Sequence, residues 1–346
     1  MKKVTIQDIA DSLGVSRNTV SKAINDADGL SDSMREKILK RAIEMGYKQF
    51  AYVAAQSASV FDNFRTPPES AGEIALITAS SIGQHHFGAL MLDRFKQELL
   101  QLGYTLNTYI LSREEMTGCT LPANFNKEQV RGIVCIEMFD RAYGEMLCGL
   151  GLPALFVDGP NKRSGYSLPA DQLYMDNTAA ITELVNYMLQ NGRRNIGFIG
   201  DYEHCQSFFE RYTAFRCAML LAGVPVSEDY CIKFNETSAD ELEVALGALP
   251  SMPDLFICGN DFIACEVLHI LRRQGKSVPE DVLLCGFDDA PVSRIVSPAL
   301  TTVHIHTQIM AFSAVDLLIS RIKEPELDYR TVYTQTDLIY RDSTNF

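Results

Sequence analysis

No stretch of this 346-residue chain reaches the eighteen or so unbroken apolar residues of a membrane-spanning helix, and its first residues lead into a polar, capped helix instead of the apolar core of an export signal. A cytoplasmic protein without a membrane partner is expected. No C-x-x-C pair occurs among the nine cysteines, and Cys135, Cys217, Cys258 and Cys285 stand inside apolar runs, where a thiol behaves as a small hydrophobe. This argues against a structural zinc site. No phosphate loop, nucleophile elbow or metal-ligand set is present either: Gly197 and Gly200 have the wrong spacing for phosphate and suit close packing, and neither His85-His86 nor His304-x-His306 is backed by a Cys or carboxylate at zinc spacing. Hydrogen bonding is the expected work of those histidines. Asp288-Asp289 resembles a paired-carboxylate site, but sequence neighbours generally point apart and no nucleophile accompanies them. No enzyme activity, catalytic residue, metal or cofactor is therefore expected.

Basic charge is scarce as well. The chain has 31 Lys and Arg against 44 Asp and Glu, a net charge of −13, which on average disfavours a polyanionic partner. The balance is uneven, however: residues 1–60 hold nine basic against seven acidic residues, the remainder 22 against 37. Only the N-terminal part can approach nucleic acid, and its modest +2 implies two copies per binding site. The length also exceeds one ordinary core and suggests two or three compact units.

What the first fifty residues do contain is the punctuation of three short helices. Thr5 caps the first, with Asp8 three residues on, and Ile6, Ile9, Ala10 and Leu13 follow at the spacing of one buried stripe until Gly14 stops it. Ser16 caps the second, in which Val20, Ala23 and Ile24 face inward and Arg17, Asn18, Ser21 and Lys22 stay outside. Two helices joined by so short a turn read as a helix-turn-helix, whose second helix enters the major groove. Arg17 and Lys22 suit the O6/N7 edge of guanine and Asn18 the N6/N7 edge of adenine. Thr5, Ser16, Thr19, Ser21, Asn25 and Ser31 are short enough to reach phosphates without holding the helix out of the groove.

From Gly72 the pattern becomes short apolar runs alternating with amphipathic helices, which is parallel-sheet architecture. Strands are expected at 74–78, 105–110, 132–138, 154–158, 195–200, 230–234, 255–258 and 282–287, with helices at 87–102, 177–191, 208–222, 239–249, 261–274 and 308–322. So many units exceed one small sheet, so two doubly wound subdomains facing across a cleft are expected. Ligands in such folds bind beyond the carboxyl ends of the strands. The residues there, most of them polar, are Ser80, Ser81, His85, His86 and Phe87 after the first strand, then Asp158, Ser207, Arg211, Asn235, Asn260 and Asp288. Carboxylates, an amide, one guanidinium and an aromatic ring suit a hydrogen-bonding small molecule such as a sugar. Structural alternatives remain open: Asp158 and Asp288 as helix caps, Asn260 in a turn, Arg211 paired with Asp201 or Glu210.

The run VTIQDIADSLGVSRNTVSKAIN from Val4 resembles the DNA-binding headpiece of the lac repressor (LacI/GalR) family of bacterial transcription regulators. Likeness continues through YMDNTAAITELVNYMLQNGRRNIGFIGD from Tyr174, CGNDFIACEVLHILRRQGKSVPEDVLLCGFDD from Cys258, PALTTV from Pro298 and LIYRDST from Leu338. The resemblance implies a periplasmic-binding-protein-like fold with three chain crossings. Expected bounds are a headpiece over 1–47, a hinge and linker over 48–71 and an effector-binding, dimerising domain over 72–346. Within the latter the N-subdomain is placed at about 72–160 plus 305–325 and the C-subdomain at about 172–301 plus 328–346, with crossings near 159–172, 301–306 and 324–330. Residue by residue, Asp158, Ser207, Arg211, Asn260 and Asp288 match positions that touch effector in the family.

The hinge departs from the family pattern. A proline-asparagine pair is missing after Tyr47, where Gln49 and Phe50 stand; the arginine position is Ala54, and the leucine that wedges into the minor groove is Gln56. A polar glutamine gains nothing by burial between base steps, which puts the central kink in doubt. The expected protein is a homodimeric repressor of a palindromic double-stranded DNA operator, its affinity set by a small effector, most simply a sugar. The closing residues carry no apolar heptads, which favours a dimer over a coiled-coil tetramer. The alternative is a DNA-binding regulator whose acidic domain senses a partner protein.

Overall fold

The computed structural model describes residues 4–24, 30–45, 47, 71–79, 87–162, 167–234 and 239–344. The hinge positions Gln49, Phe50, Ala54 and Gln56 lie outside them, as do Asn25, Ser80, Ser81, His85, His86 and Asn235. Three short helices come first: α1 (Ile6–Leu13), α2 (Arg17–Ile24) and α3 (Asp32–Glu44). Their apolar stripes meet in one small core of Ile9, Ala10, Val20, Ala23, Ile24, Ile38, Leu39 and Ala42. Arg41 Nε donates to Ser12 Oγ at 3.1 Å and ties α3 to α1.

Next comes a six-stranded, wholly parallel sheet built from β1 (Gly72–Thr78), β2 (Tyr104–Ile110), β3 (Val130–Ile136), β4 (Ala154–Val157), β5 (Asp171–Met175) and β11 (Thr331–Thr334), in the order β11-β5-β4-β3-β1-β2. The helices α4 (Phe87–Gln101), α5 (Arg113–Gly118) and α6 (Arg141–Cys148) connect its first strands. A second parallel sheet has the order β7-β6-β8-β9, from β6 (Ile196–Ile199), β7 (Cys231–Ile232), β8 (Leu255–Cys258) and β9 (Leu283–Cys285). Around it run α7 (Ala179–Gln190), α8 (Gln206–Leu221), α9 (Ala239–Gly247), α10 (Asp261–Arg273) and the short α11 (Val292–Ile295). Gly197 is required for packing: a Cβ there would stand 2.6 Å from the Tyr230 carbonyl oxygen.

The two halves are joined by an antiparallel ribbon of β10 (Thr302–Ile305) and β12 (Thr336–Ile339), and by the long α12 (Thr307–Lys323), which packs on α4 and on β3 to β5. Two crossings lie later than the sequence implied. β5 and β11 both belong to the first sheet, so the chain leaves it after Met175 and again between Thr334 and Thr336, not near 159–172 and 324–330. The subdomain bounds shift with them: residues 171–175 and 331–334 fall in the first subdomain. The reason is a buried charge. Asp171, fully enclosed, accepts from Arg321 Nε at 3.1 Å and Nη2 at 3.0 Å and from the Arg330 backbone N–H at 2.7 Å. This clamp fixes β5 and β11 to the end of α12, and an aspartate opening a strand reads in sequence as a loop.

Ile309 and Phe312, near the start of α12, complete the apolar cluster of the three N-terminal helices. The headpiece therefore rests on the helix that follows the β10 crossing, while Arg17 and Asn18 remain exposed.

Candidate functional site

Two polar surfaces are candidates, one on the headpiece and one between the subdomains. On the headpiece, the Thr5 N–H donates to Asp8 Oδ2 at 2.8 Å and the Asp8 N–H donates back to Thr5 Oγ1 at 3.3 Å, a reciprocal cap. Gly14, at φ 66, ends α1, and Ser16 Oγ accepts the Thr19 N–H at 3.0 Å to start α2. Arg17 and Asn18 project into solvent, Thr19, Ser21 and Lys22 are half-buried beside them, and Val20, Ala23 and Ile24 fill the core behind. Ser31 caps α3 by accepting from the Met34 N–H at 3.3 Å. Three hydroxyls expected at phosphates thus serve as caps, and the Thr5 proton is committed to Asp8 Oδ2 at 2.6 Å.

Between the subdomains, Asp158 ends β4 at φ 51 and Ser207 opens α8 on the opposite wall. Ser207 Oγ donates to Asp158 Oδ1 at 2.7 Å and accepts from Asn177 Nδ2 at 3.2 Å. One turn along α8, Arg211 is buried: its Nε donates to Asn177 Oδ1 at 2.9 Å and its Nη1 to the Gly259 carbonyl at 2.6 Å. Nη2 lies 3.7 Å from Asp288 Oδ1, and the guanidinium stacks 3.5 Å from the centroid of Phe287. Asn260 Oδ1 accepts from the Ile263 N–H at 2.8 Å and so caps α10. Further bonds cross the cleft. Lys162 N–H donates to Gln206 Oε1 at 2.8 Å, Asn161 Nδ2 to the Tyr202 carbonyl at 3.0 Å, and Tyr333 O–H to Glu210 Oε1 at 2.8 Å. Asp158, Ser207, Arg211 and Asp288 are brought together; Asn260 sits beside them on the next loop. His86 and Asn25 fall outside the described residues, and Phe87 is placed only as the start of α4.

Two family descriptions match this chain: bacterial regulatory proteins of the lacI family over residues 5–49, and a periplasmic binding protein-like domain over 185–344. The chain belongs to the LacI family. Among LacI-family relatives, the transcriptional repressor PurR of Vibrio parahaemolyticus is 25% identical over 347 residues, 98% of each chain. A solved complex of the regulator CelR with cellobiose shares the fold at a TM-score of 0.69 and 23% identity, covering 99% of this chain and 100% of that one. The lac repressor dimer bound to operator and the anti-inducer ONPF shares it at 0.65 and 18%, covering 99% of both.

Within this LacI-family cleft the carboxylates are perturbed in opposite directions. Burial pushes Asp158 up to about 7, against the Ser207 hydrogen bond and the Arg211 charge, with Glu137 and Glu210 adding to the rise. Its sequence neighbours in role, Asp288 and Asp289, part company: Asp288 faces Arg211, and Asp289 turns away into Arg294, Arg341 and His304. Burial alone would raise Asp289, but hydrogen bonds from His304, Arg294 and Arg341 hold it well below the usual carboxylate range. His304 Nδ1 lies 2.9 Å from Asp289 Oδ2 and His306 Nε2 3.1 Å from Asp337 Oδ2. Among the described residues no group of His, Cys, Asp and Glu is arranged to hold a metal ion. Sequence reasoning missed Asn177, which bonds both Arg211 and Ser207, and weighed Glu210 only as a surface partner of Arg211, whereas Glu210 Oε2 accepts from Asn177 Nδ2 at 2.8 Å. Asn177 follows β5, so the strand-end rule finds it once β5 is recognised as a strand.

Proposed function

We propose that this protein is a transcriptional repressor that binds a palindromic operator as a homodimer and changes its DNA affinity when a small, hydrogen-bonding effector enters the cleft. The observation that carries the reading is the joining of Asp158, Ser207, Arg211 and Asp288 across two hinged subdomains, with a helix-turn-helix whose Arg17 and Asn18 stand in solvent. Arg17, Asn18 and Lys22 read bases; Ser16, Thr19, Ser21, Asn25 and Ser31 hold phosphates, joined by Thr5 when its hydroxyl proton turns from Asp8 to the DNA. His86, Phe87 and Asn260 complete the effector set. Sugar-bound CelR and operator-bound lac repressor, which share this fold, are consistent with both halves of the proposal. Effector binding alters affinity only through unequal binding to two arrangements of the subdomains, and a tenfold change needs ~1.4 kcal/mol.

The test begins with selection of duplexes from a randomised pool by the purified full chain, followed by retardation assays with and without metabolites. Arg17→Ala should relax preference at one operator position by ~1–3 kcal/mol while total affinity for random DNA stays measurable. Arg211→Ala should abolish the metabolite response and retain DNA retardation. Failure to retard any selected duplex would overturn the DNA-binding reading, and an unaltered metabolite response in Arg211→Ala would remove the cleft from it.

A further inference from the structure

One group in the cleft is left unsatisfied. Asp158 is 5% exposed, and its Oδ1 is taken by Ser207; among the described residues Oδ2 has no hydrogen-bond partner, yet it is not sealed from solvent. A buried carboxylate oxygen opening on a cleft, with one short donor on its other side, is built to receive a donor from a ligand.

The surroundings decide which donor. Glu137 at the end of β3 and Glu210 on α8 both act on Asp158, and Asp288 closes the far side, so four carboxylates line the described walls. Against them stand Arg211 and Lys162. The Arg211 charge is already met by Asp288, and its Nε and Nη1 are held by Asn177 and Gly259. Lys162 lies over the Tyr174 ring, 4.7 Å from its centroid. A phosphate or carboxylate on a ligand would meet only Lys162, already over the Tyr174 ring, and Arg211, already facing Asp288, among these residues, and would sit within the field of Glu137 and Glu210. A neutral hydroxyl would satisfy Oδ2 but leave the charges of Glu137 and Glu210, both of which act on this buried position, without a further counter-charge. An ammonium group meets both requirements.

We propose that the effector is a small polyhydroxylated compound carrying one ammonium group and no anionic group, with Asp158 as the carboxylate that receives the ammonium. This rests on the cleft being the effector site. Ser207, held in turn by Asn177, then fixes the carboxylate, and Arg211 Nη2, which faces Asp288 at 3.7 Å and so beyond hydrogen-bond distance, addresses the hydroxyls together with Asn260. Because Asp158 holds a proton up to about neutral pH, ammonium binding ionises it and releases that proton to solvent.

The test titrates the full chain with sets of hexoses that share a configuration and differ in one substituent: the neutral sugar, the 2-amino sugar, its N-acetyl form, the uronate and the 6-phosphate. The amino sugars should give the largest rise in melting temperature, and removal of the charge by N-acetylation should weaken binding at least tenfold. Calorimetry at pH 6.5 in buffers of different ionisation enthalpy should show net proton release for the amino sugar and none for the neutral one. Asp158→Asn, with its folding checked by circular dichroism, should erase the preference for the amine. Equal or tighter binding of a neutral or anionic member, or amine binding without proton release, overturns the proposal and leaves the cleft assignment standing. Absence of binding by every set overturns both.

Discussion

The headpiece and the cleft are both polar, yet they are built on opposite plans. Arg17 and Asn18 stand in water on a rigid little core, and the hydrogen bonds around them cap helices instead of engaging them. Asp158, Ser207, Arg211 and Asn177 are buried and linked to one another by a chain of hydrogen bonds. A solvated side chain costs little to keep free and loses little when replaced, so it is suited to a partner that brings its own dense charge. A buried network is expensive to break, so a ligand entering it must offer matching donors and acceptors, which makes the site selective. The difference teaches that DNA reading here is a property of side chains and effector reading a property of tertiary placement.

Several substitutions would break or sharpen this contrast. The largest effect is expected at Asp289, where Ala would strand Arg341 and Arg294 around an emptied position and cost ~3–5 kcal/mol in urea denaturation. The depressed Asp289 carboxyl contributes stability above the unfolded pKa, near 4, that is lost as pH falls through its lower folded value, so the wild type and the variant should converge in strong acid. Asp158→Asn should act with the opposite sign. A carboxyl raised to about 7 makes the folded chain hold more protons than the unfolded one between roughly pH 4 and 7, so the wild type loses stability as pH rises through that window. At pH 8 the variant should be the more stable protein, by ~3–4 kcal/mol at most, and near pH 4 the two should melt alike. Parallel melting curves at both pH values would show that Asp158 is well hydrated after all. The smallest effect belongs to the headpiece, where Thr5→Ala removes a reciprocal cap and should cost ~1 kcal/mol, read from hydrogen exchange at the α1 amides. A larger loss there would mean that the headpiece core depends on more than local capping.

The first three helices were legible because their signals are local: caps, a stop glycine and an apolar stripe all lie within a few residues of one another. The eight strands expected from apolar runs correspond to β1 to β4 and β6 to β9, for the same reason. What escaped were β5, β10, β11 and β12, the strands at the joins between the halves. Each is four or five residues long and carries polar residues such as Asp171, His304, Thr334 and Asp337 whose partners are remote in sequence. The site followed the same division. Asp158, Arg211 and Asp288 could be named from their places after strands, whereas Asn177 could not, because β5 was hidden.

By itself, then, the sequence determined the two architectures, the order of most elements and which helix presents Arg17 and Asn18, since periodicity and capping are short-range physics. Only the tertiary structure decided where the chain crosses between subdomains and which carboxylates become partners. Asp288 meets Arg211 across 77 residues of chain while Asp289, its covalent neighbour, meets Arg341. Burial and long-range pairing set the charge state of a carboxylate, and neither is written in the residues beside it.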